Sequence, residues 1–365
     1  MQVATGGARV LIDHLLRTLP VKAGSDSLHV FRPATGDRLP REAEEVVLPT
    51  IHPFLYENIL LPLYLRRHPV DVLICPKNLV PPFLPAHVAS VAVVLDLAYF
   101  PAAGAGVREY KLCDALYMRA FMRASARRAT HVVAISKHTR QDLIKLFALA
   151  PKRISVAYPG VASPKPETIS PDAVTNVKHA LGLHRPYIFY AGSLSPRKNA
   201  IRLLHAFAEL KDQMPHDLVV TAGKSWKDKA VEREMAQLQL ADRFHRLGTV
   251  TEDQLHALYR GAALSVYPSL YEGFGLPVLE AMACGCPVVA SNRSAVPEAV
   301  GDAAVLVNPL QEADIKRGML EVLQSEARRE QLRKAGRQHA AKFRWESFGD
   351  KVYAAAEQAF HSKRS

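Results

Sequence analysis

Short, uniformly apolar runs recur along this chain, each followed by a longer segment with helical apolar spacing. Asp71–Cys75, Val88–Leu95, Thr130–Ile135 and Ile154–Ala157 carry the pattern in the first half. Tyr187–Ala191, Asp217–Ala222, Ala263–Tyr267, Pro287–Ala290 and Ala304–Val307 carry it in the second. A strand that is apolar at every position is covered on both faces, as in a parallel sheet flanked by helices. The alternation therefore predicts an α/β chain with two doubly wound, Rossmann-like domains. Ser163–Pro171, rich in Pro and Ser, lies between the two series and reads as their boundary. Parallel sheets bind ligands at the carboxyl ends of their strands, so the site is expected in a cleft between two domains facing each other.

With 365 residues, 48% of them hydrophobic and 22% charged, each domain has enough apolar surface for a core. No apolar run reaches the roughly 18 residues that span a bilayer, and the N-terminus lacks a signal-peptide pattern. These features predict a cytoplasmic location. Cys75, Cys113, Cys284 and Cys286 have neither zinc-site spacing nor the density of a disulfide scaffold, and read as reduced core residues. The formal charge of +12 favours anionic partners without choosing among nucleotide, lipid and nucleic acid.

The stretch Tyr271–Glu280 combines an acid, Glu272, with the turn Gly273-Phe274-Gly275, a helix opened by Pro277 at its first position, and a second acid, Glu280. Gly285 closes the helix before the next strand. Backbone N–H groups of Gly275 and Leu276 at such a helix start attract a phosphate, while two carboxylates can accept hydrogen bonds from sugar hydroxyls. Phosphate and hydroxyls together point to a nucleotide sugar. A second segment, Tyr190–Asn199, leaves a strand, turns through Gly192 and presents Arg197 and Lys198 before an amphipathic helix at Ile201–Leu210. Two fixed cations can neutralise a departing diphosphate. No Asp-x-Asp pair occurs in the sequence, so a divalent-metal site is not indicated.

From Val266 to Ala290 the chain resembles the retaining glycosyltransferases of glycosyltransferase family 4, also called glycosyl transferases group 1. Their signature is two glutamates separated by seven residues, as Glu272 and Glu280 are. The resemblance implies the GT-B fold, with 1–165 as the acceptor-side domain, 166–342 as the nucleotide-sugar domain, and 343–365 as a helix crossing back to the first. It implies that Glu272 contacts the donor sugar, that Glu280 binds the ribose, and that Arg197 and Lys198 clamp the diphosphate. Relatives often carry that arginine directly after the glycine, where this chain has Ser193. Gly248 and Val250 resemble the segment that holds the base by backbone contacts, Gly273 to Leu276 the donor turn, and Gly6 and Gly7 the glycine-rich first loop. Asp96 matches a segment in which a His usually precedes the Asp, but Leu95 stands here. Relatives also have a full strand before the glycine loop, for which Met1–Ala4 is too short.

A helix expected over about 108–128 carries Arg119, Arg123 and Arg127 on one face, suited to anionic lipid at the inner face of a membrane, to a phosphorylated acceptor or to solvent. Ser136 reads as a helix N-cap. The third glycine of a dinucleotide fingerprint is absent, with Val278 in its place, Gly223–Lys227 fails as a nucleophile elbow, and no module for reading nucleic acid is recognisable. The expected function is metal-independent transfer of a sugar, with retention, from a nucleotide-diphosphate sugar to the hydroxyl of a saccharide or lipid-linked saccharide, in surface polysaccharide or glycolipid synthesis. The nucleotide sugar is a substrate, and no cofactor is called for. Leu95 and the short N-terminus leave open a catalytically impaired nucleotide-sugar-binding relative or assembly subunit; an epimerase is a third reading.

Overall fold

The computed structural model describes residues 7–20, 26–32, 43–48, 55–103, 110, 112–223 and 228–364. The chain forms two compact units, one of Met1–Tyr99, Leu112–Gly160 and Arg344–Ser365, the other of Phe100–Lys111 and Val161–Phe343. The expectations about Met1–Ala4 and Gly6 lie outside the described residues.

Unit 1 contains α1 (Gly7–Thr18), β1 (Leu28–Arg32), β2 (Ala43–Val47), α2 (Leu61–Arg67), β3 (Val72–Cys75), β4 (Ala89–Val94), α3 (Leu112–Arg128), β5 (His131–Ala134), α4 (Lys137–Phe147) and β6 (Ile154–Val156). Strands β3 to β6 make one parallel sheet in chain order, while β1 and β2 pair separately. Within the described residues, the unit therefore has two parallel sheets where the alternation predicts one. Every residue of β4 and β5 is buried, which is why both strands read as apolar runs. Ser136 caps α4, its hydroxyl accepting from the Thr139 N–H at 2.9 Å.

Unit 2 contains α5 (Pro171–Ala180), β7 (Tyr187–Ala191), α6 (Ala200–Ala208), β8 (Asp217–Thr221), α7 (Asp228–Gln237), β9 (Phe244–Arg246), α8 (Glu252–Gly261), β10 (Leu264–Tyr267), α9 (Leu276–Ala283), β11 (Val288–Ser291), α10 (Val296–Val300), β12 (Val305–Val307), α11 (Glu312–Leu323) and α12 (Glu326–Ala340). Its six parallel strands run β12-β11-β10-β7-β8-β9. The chain lays β8 and β9 to one side of β7, then crosses over to place β10, β11 and β12 on the other. The order reverses between β7 and β10, and at such a point the loops leaving the two carboxyl ends diverge and open a crevice. Ile188, Tyr190, Leu204, Phe207, Val266 and Val289 belong to the buried core beneath it.

The last helix, α13 (Trp345–Arg364), belongs to unit 1 and packs across β4, β5 and α1. Its buried residues Trp345, Phe348, Val352, Ala355 and Ala359 recur at helical spacing. A Cβ on Gly349 would stand 2.2 Å from the Thr18 carbonyl oxygen, so a side chain there would push α1 and α13 apart. The His14 and Trp345 rings stack with centroids 4.3 Å apart beside that contact.

Cys75, Cys284 and Cys286 are buried, but Cys113 is exposed, contrary to its reading as a core residue. The buried face of α3 is made by Ala115, Met122, Ser125 and Ala126, and Cys113 falls outside it.

Candidate active site

The two loops that flank the reversal in unit 2 are tied to each other. β7 ends at Ala191, and Gly192 follows with φ 136°, open space standing where a Cβ would point. The chain then makes a tight turn at Pro196–Lys198 and enters α6 through Asn199, at φ 63°. Asn tolerates this left-handed conformation better than most side chains. The buried Asn199 amide donates to the carbonyls of Pro268 and Pro309, at 3.1 and 2.6 Å. Leu270 N–H donates to the Arg197 carbonyl at 2.8 Å, and Arg197 Nη1 donates to the Tyr271 carbonyl at 2.8 Å. The loop after β7 is therefore laced to the loop after β10 by backbone groups as well as side chains.

Arg197, Lys198 and Glu272 meet at this seam. Arg197 Nη1 lies 3.1 Å from Glu272 Oε2, and Lys198 Nζ lies 2.8 Å from Oε1 of the same carboxylate. Burial alone would raise the Glu272 carboxyl, but the two cations outweigh it and hold the group at about 2. Two cations share one carboxylate, so the cluster keeps an excess positive charge for an anionic ligand.

The Glu272 N–H donates to Ser294 Oγ at 2.9 Å, fixing the start of the glycine turn. Gly275 sits at φ 120° as the N-cap of α9, a conformation closed to most side chains. Pro277 is the second helical residue, not the first, because Leu276 already has helical geometry. At the start of α9 Pro277 has no N–H and the Val278 N–H donates to the Gly275 carbonyl at 3.1 Å, so Gly275 and Leu276 carry the candidate anion donors, on the same loop as Glu272. Phe274 is buried with its ring centroid 5.6 Å from that of Phe343, which leaves its backbone as the part available to a ligand.

Glu280 lies on α9, where its Oε2 accepts from the Tyr259 hydroxyl at 3.4 Å. Burial pushes this carboxyl up to about 7, with the Tyr259 hydrogen bond and the Lys198 charge acting in the opposite direction. The surroundings thus favour the ionised form of Glu272 and the protonated form of Glu280. Gly248, at φ 72°, and Val250 follow β9, and Thr251 caps α8 through a reciprocal bond pair with Gln254.

Asp96 and Gly7 belong to unit 1. Asp96 follows β4, and its Oδ1 accepts from the Ala98 N–H at 3.0 Å, while Gly7 opens α1. On α3, Arg119 Nε donates to the Tyr99 carbonyl at 2.5 Å and Arg127 Nε to the Phe147 carbonyl at 3.1 Å, whereas Arg123 is exposed. Two arginines of the basic stripe thus help hold the unit together. Among the described residues, no group of three or more His, Cys, Asp and Glu could hold a metal ion.

Two family models match the sequence: Glycosyltransferase Family 4 over residues 5–163 and Glycosyl transferases group 1 over residues 175–339. The chain belongs to glycosyltransferase family 4. This family 4 chain is similar to O-antigen chain mannosyltransferase B of Escherichia coli, with 32% identity over 233 residues, 63% of this chain and 61% of that protein. It is also similar to the serotype-specific mannosyltransferase WbdA of Escherichia coli, with 31% identity over 231 residues, 61% of this chain and 28% of that protein. The match thus spans less than two thirds of either relative's length. Among solved structures, WaaG, a glycosyltransferase involved in lipopolysaccharide biosynthesis, superposes with a TM-score of 0.74 at 18% identity, covering 96% of each chain. HepE of Anabaena in complex with UDP-glucose superposes with a TM-score of 0.75 at 17% identity, covering 97% of this chain and 96% of that one. The family 4 chain has the GT-B fold of these structures, with two Rossmann-like units.

Sequence reasoning missed Asn199 and Tyr267, whose hydroxyl accepts from Lys198 Nζ, as parts of the site. Asn199 left a local signal, an Asn following two cations at a helix entrance. Tyr267 left none, because a Tyr at the end of an apolar run reads as core.

Proposed function

We propose that this chain transfers a sugar from a nucleotide-diphosphate sugar to an acceptor hydroxyl with retention of anomeric configuration. The observation that carries the reading is the meeting of Arg197, Lys198 and Glu272 beside the start of α9, at the reversal of the unit 2 sheet. When the bond from the anomeric carbon to phosphate breaks, charge builds on the diphosphate. Arg197, Lys198 and the N–H groups of Gly275 and Leu276 offset it in surroundings with little water. The sugar passes through an oxocarbenium-like state, and the departing phosphate oxygen receives the acceptor's proton. This scheme requires neither a protein nucleophile nor a metal ion.

In this reading Glu272 exchanges part of its contact with the cations for hydroxyls of the donor sugar, and Glu280 accepts from the ribose. Gly192, Gly248 and Val250 approach the nucleotide through their backbones. The family resemblance assigns the Gly6 and Gly7 backbone to the donor phosphates and the acceptor, and Asp96 to part of the donor-sugar role of the His that Leu95 replaces. The relatives named mannosyltransferases favour mannose as the sugar, and their O-antigen names favour a growing saccharide, free or lipid-linked, as the acceptor.

Among the described residues no helix is long and apolar enough to cross a membrane. Contact with the inner face of a membrane is supported by exposed Leu55, Ile59, Leu63, Phe83, Leu112 and Leu116 of unit 1, together with exposed Arg123.

The test is release of nucleoside diphosphate from a panel of nucleotide sugars in the presence of a chelator. Turnover that depends on acceptor supports transfer. Binding without turnover supports the impaired relative suggested by Leu95, and an epimerised donor would support an epimerase.

A further inference from the structure

Buried tyrosines line the unit 2 sheet, and their hydroxyls have different destinations. Tyr187 donates to the Leu258 carbonyl at 2.7 Å, and Tyr190 donates to the Ser193 carbonyl at 2.9 Å. Both satisfy backbone groups, the usual fate of a buried phenol. Tyr267, the last residue of β10, is equally buried but is directed at a charged side chain. Its hydroxyl accepts from Lys198 Nζ at 2.5 Å. The same ammonium stands 4.7 Å from the centroid of the Tyr267 ring. Lys198 Nζ therefore stands between the Tyr267 hydroxyl and, at 2.8 Å, Glu272 Oε1.

The contact is one-directional: the phenol oxygen accepts, and an ammonium has no lone pair with which to accept in return. An ammonium has three hydrogens; Tyr267 engages one, and Glu272 Oε1 stands 2.8 Å away as the ion partner. Burial keeps the phenol far above its ordinary range, with Glu272 pushing the same way and Arg197 against, so Tyr267 adds no negative charge beside the cations. A lysine on a long flexible stem is thereby fixed before any ligand arrives.

Resting on the proposed function, we infer that Tyr267 is a positioning residue for donor binding, holding Lys198 beside Glu272 so that a remaining ammonium hydrogen is presented to the diphosphate. Tyr187 and Tyr190, with hydroxyls spent on carbonyls, have no such role toward Lys198's side chain. Substitution of Tyr267 by Phe keeps the ring and the core volume while removing the hydroxyl's contact with the ammonium.

The experiment is calorimetric titration of the full chain with uridine diphosphate and guanosine diphosphate. It uses the wild type, Tyr267→Phe, Lys198→Met, the double variant, and Tyr187→Phe as a matched loss of a buried hydroxyl. Tyr267→Phe is expected to weaken binding about tenfold or more, the scale of a hydrogen bond to a charged group. The double variant is expected to bind no more weakly than Lys198→Met, and Tyr187→Phe to lower the thermal midpoint while leaving affinity unchanged. Wild-type affinity in Tyr267→Phe, or an equal further loss in the Lys198→Met background, would overturn the assignment. Loss of the cooperative unfolding transition in Tyr267→Phe would overturn it too, since the hydroxyl would then serve the core. A wild type that binds neither diphosphate removes the functional reading itself, whereas the other adverse outcomes leave it standing.

Discussion

Lys198 and Glu272, from loops after different strands, meet at 2.8 Å with only 12% and 10% of their side chains exposed. Arg197 approaches the second oxygen of the same carboxylate at 3.1 Å. Removing one member of such a buried cluster leaves uncompensated charge, typically costing about 3–5 kcal/mol. Glu272→Gln should therefore destabilise the chain, and an added anion should replace the lost charge. In thermal unfolding with and without pyrophosphate, the rise in midpoint is expected to be larger for Glu272→Gln than for the wild type. An equal rise would separate the anion site from this cluster.

The two glutamates give opposite pH dependences. At Glu272 desolvation is outweighed by Arg197 and Lys198, so the carboxyl falls from 4.5 to about 2, and folding favours the ionised form. Its contribution is complete above about pH 4.5 and lost as pH falls toward 2. At Glu280 desolvation dominates and raises the carboxyl from 4.5 to about 7, so folding favours the protonated form. That contribution is present below about pH 4.5 and lost as pH rises through 7. Urea unfolding across this range should show a shallower acid limb in Glu272→Gln and a smaller decline toward neutrality in Glu280→Gln.

If Arg197 and Lys198 take up charge on the departing diphosphate, each should matter more to turnover than to substrate binding. Loss of one preorganised charge-stabilising donor typically lowers kcat by about 10²–10³. Arg197→Ala and Lys198→Ala should fall in that range, read as kcat and KM separately. A variant that changes only KM would mark its residue as a ground-state contact.

Asn199 joins the turn after β7 to Pro268 and Pro309. Asn199→Ala strands two buried carbonyls and places Ala in the left-handed region, a loss of about 1–3 kcal/mol per unsatisfied group. Both the unfolding free energy and nucleotide affinity should drop. Unchanged affinity at reduced stability would show that the turn holds Arg197 and Lys198 without this anchor.

The exposed apolar side chains of unit 1 predict binding to anionic vesicles that weakens with salt. Replacing Ile59 and Leu116 by Ser should lower vesicle cosedimentation several-fold while leaving release of nucleoside diphosphate from soluble substrates intact. Equal sedimentation of parent and variant would remove these two side chains from membrane contact.

The apolar runs at β3 to β6 in unit 1, and at β7, β8, β10, β11 and β12 in unit 2, were legible because sheets covered on both faces demand apolar residues at successive positions. The strands that went unread have mixed surroundings: β1 and β2 are largely half-exposed, Glu44 and Glu45 of β2 are exposed, and β9 is a three-residue edge strand. Periodicity has little to register there.

The sequence by itself determined the chemical character of the site: two adjacent cations after a strand, an acid in a glycine turn, and a second acid in the helix that follows. Local residue order carries that much because turns, caps and helix starts are short-range structures. Only the tertiary structure decided that Arg197 and Lys198 would close on Glu272 and that Tyr267 would join them, since that depends on β10 lying beside β7. Strand order is set by how the whole sheet buries its faces, and no short stretch of sequence contains it.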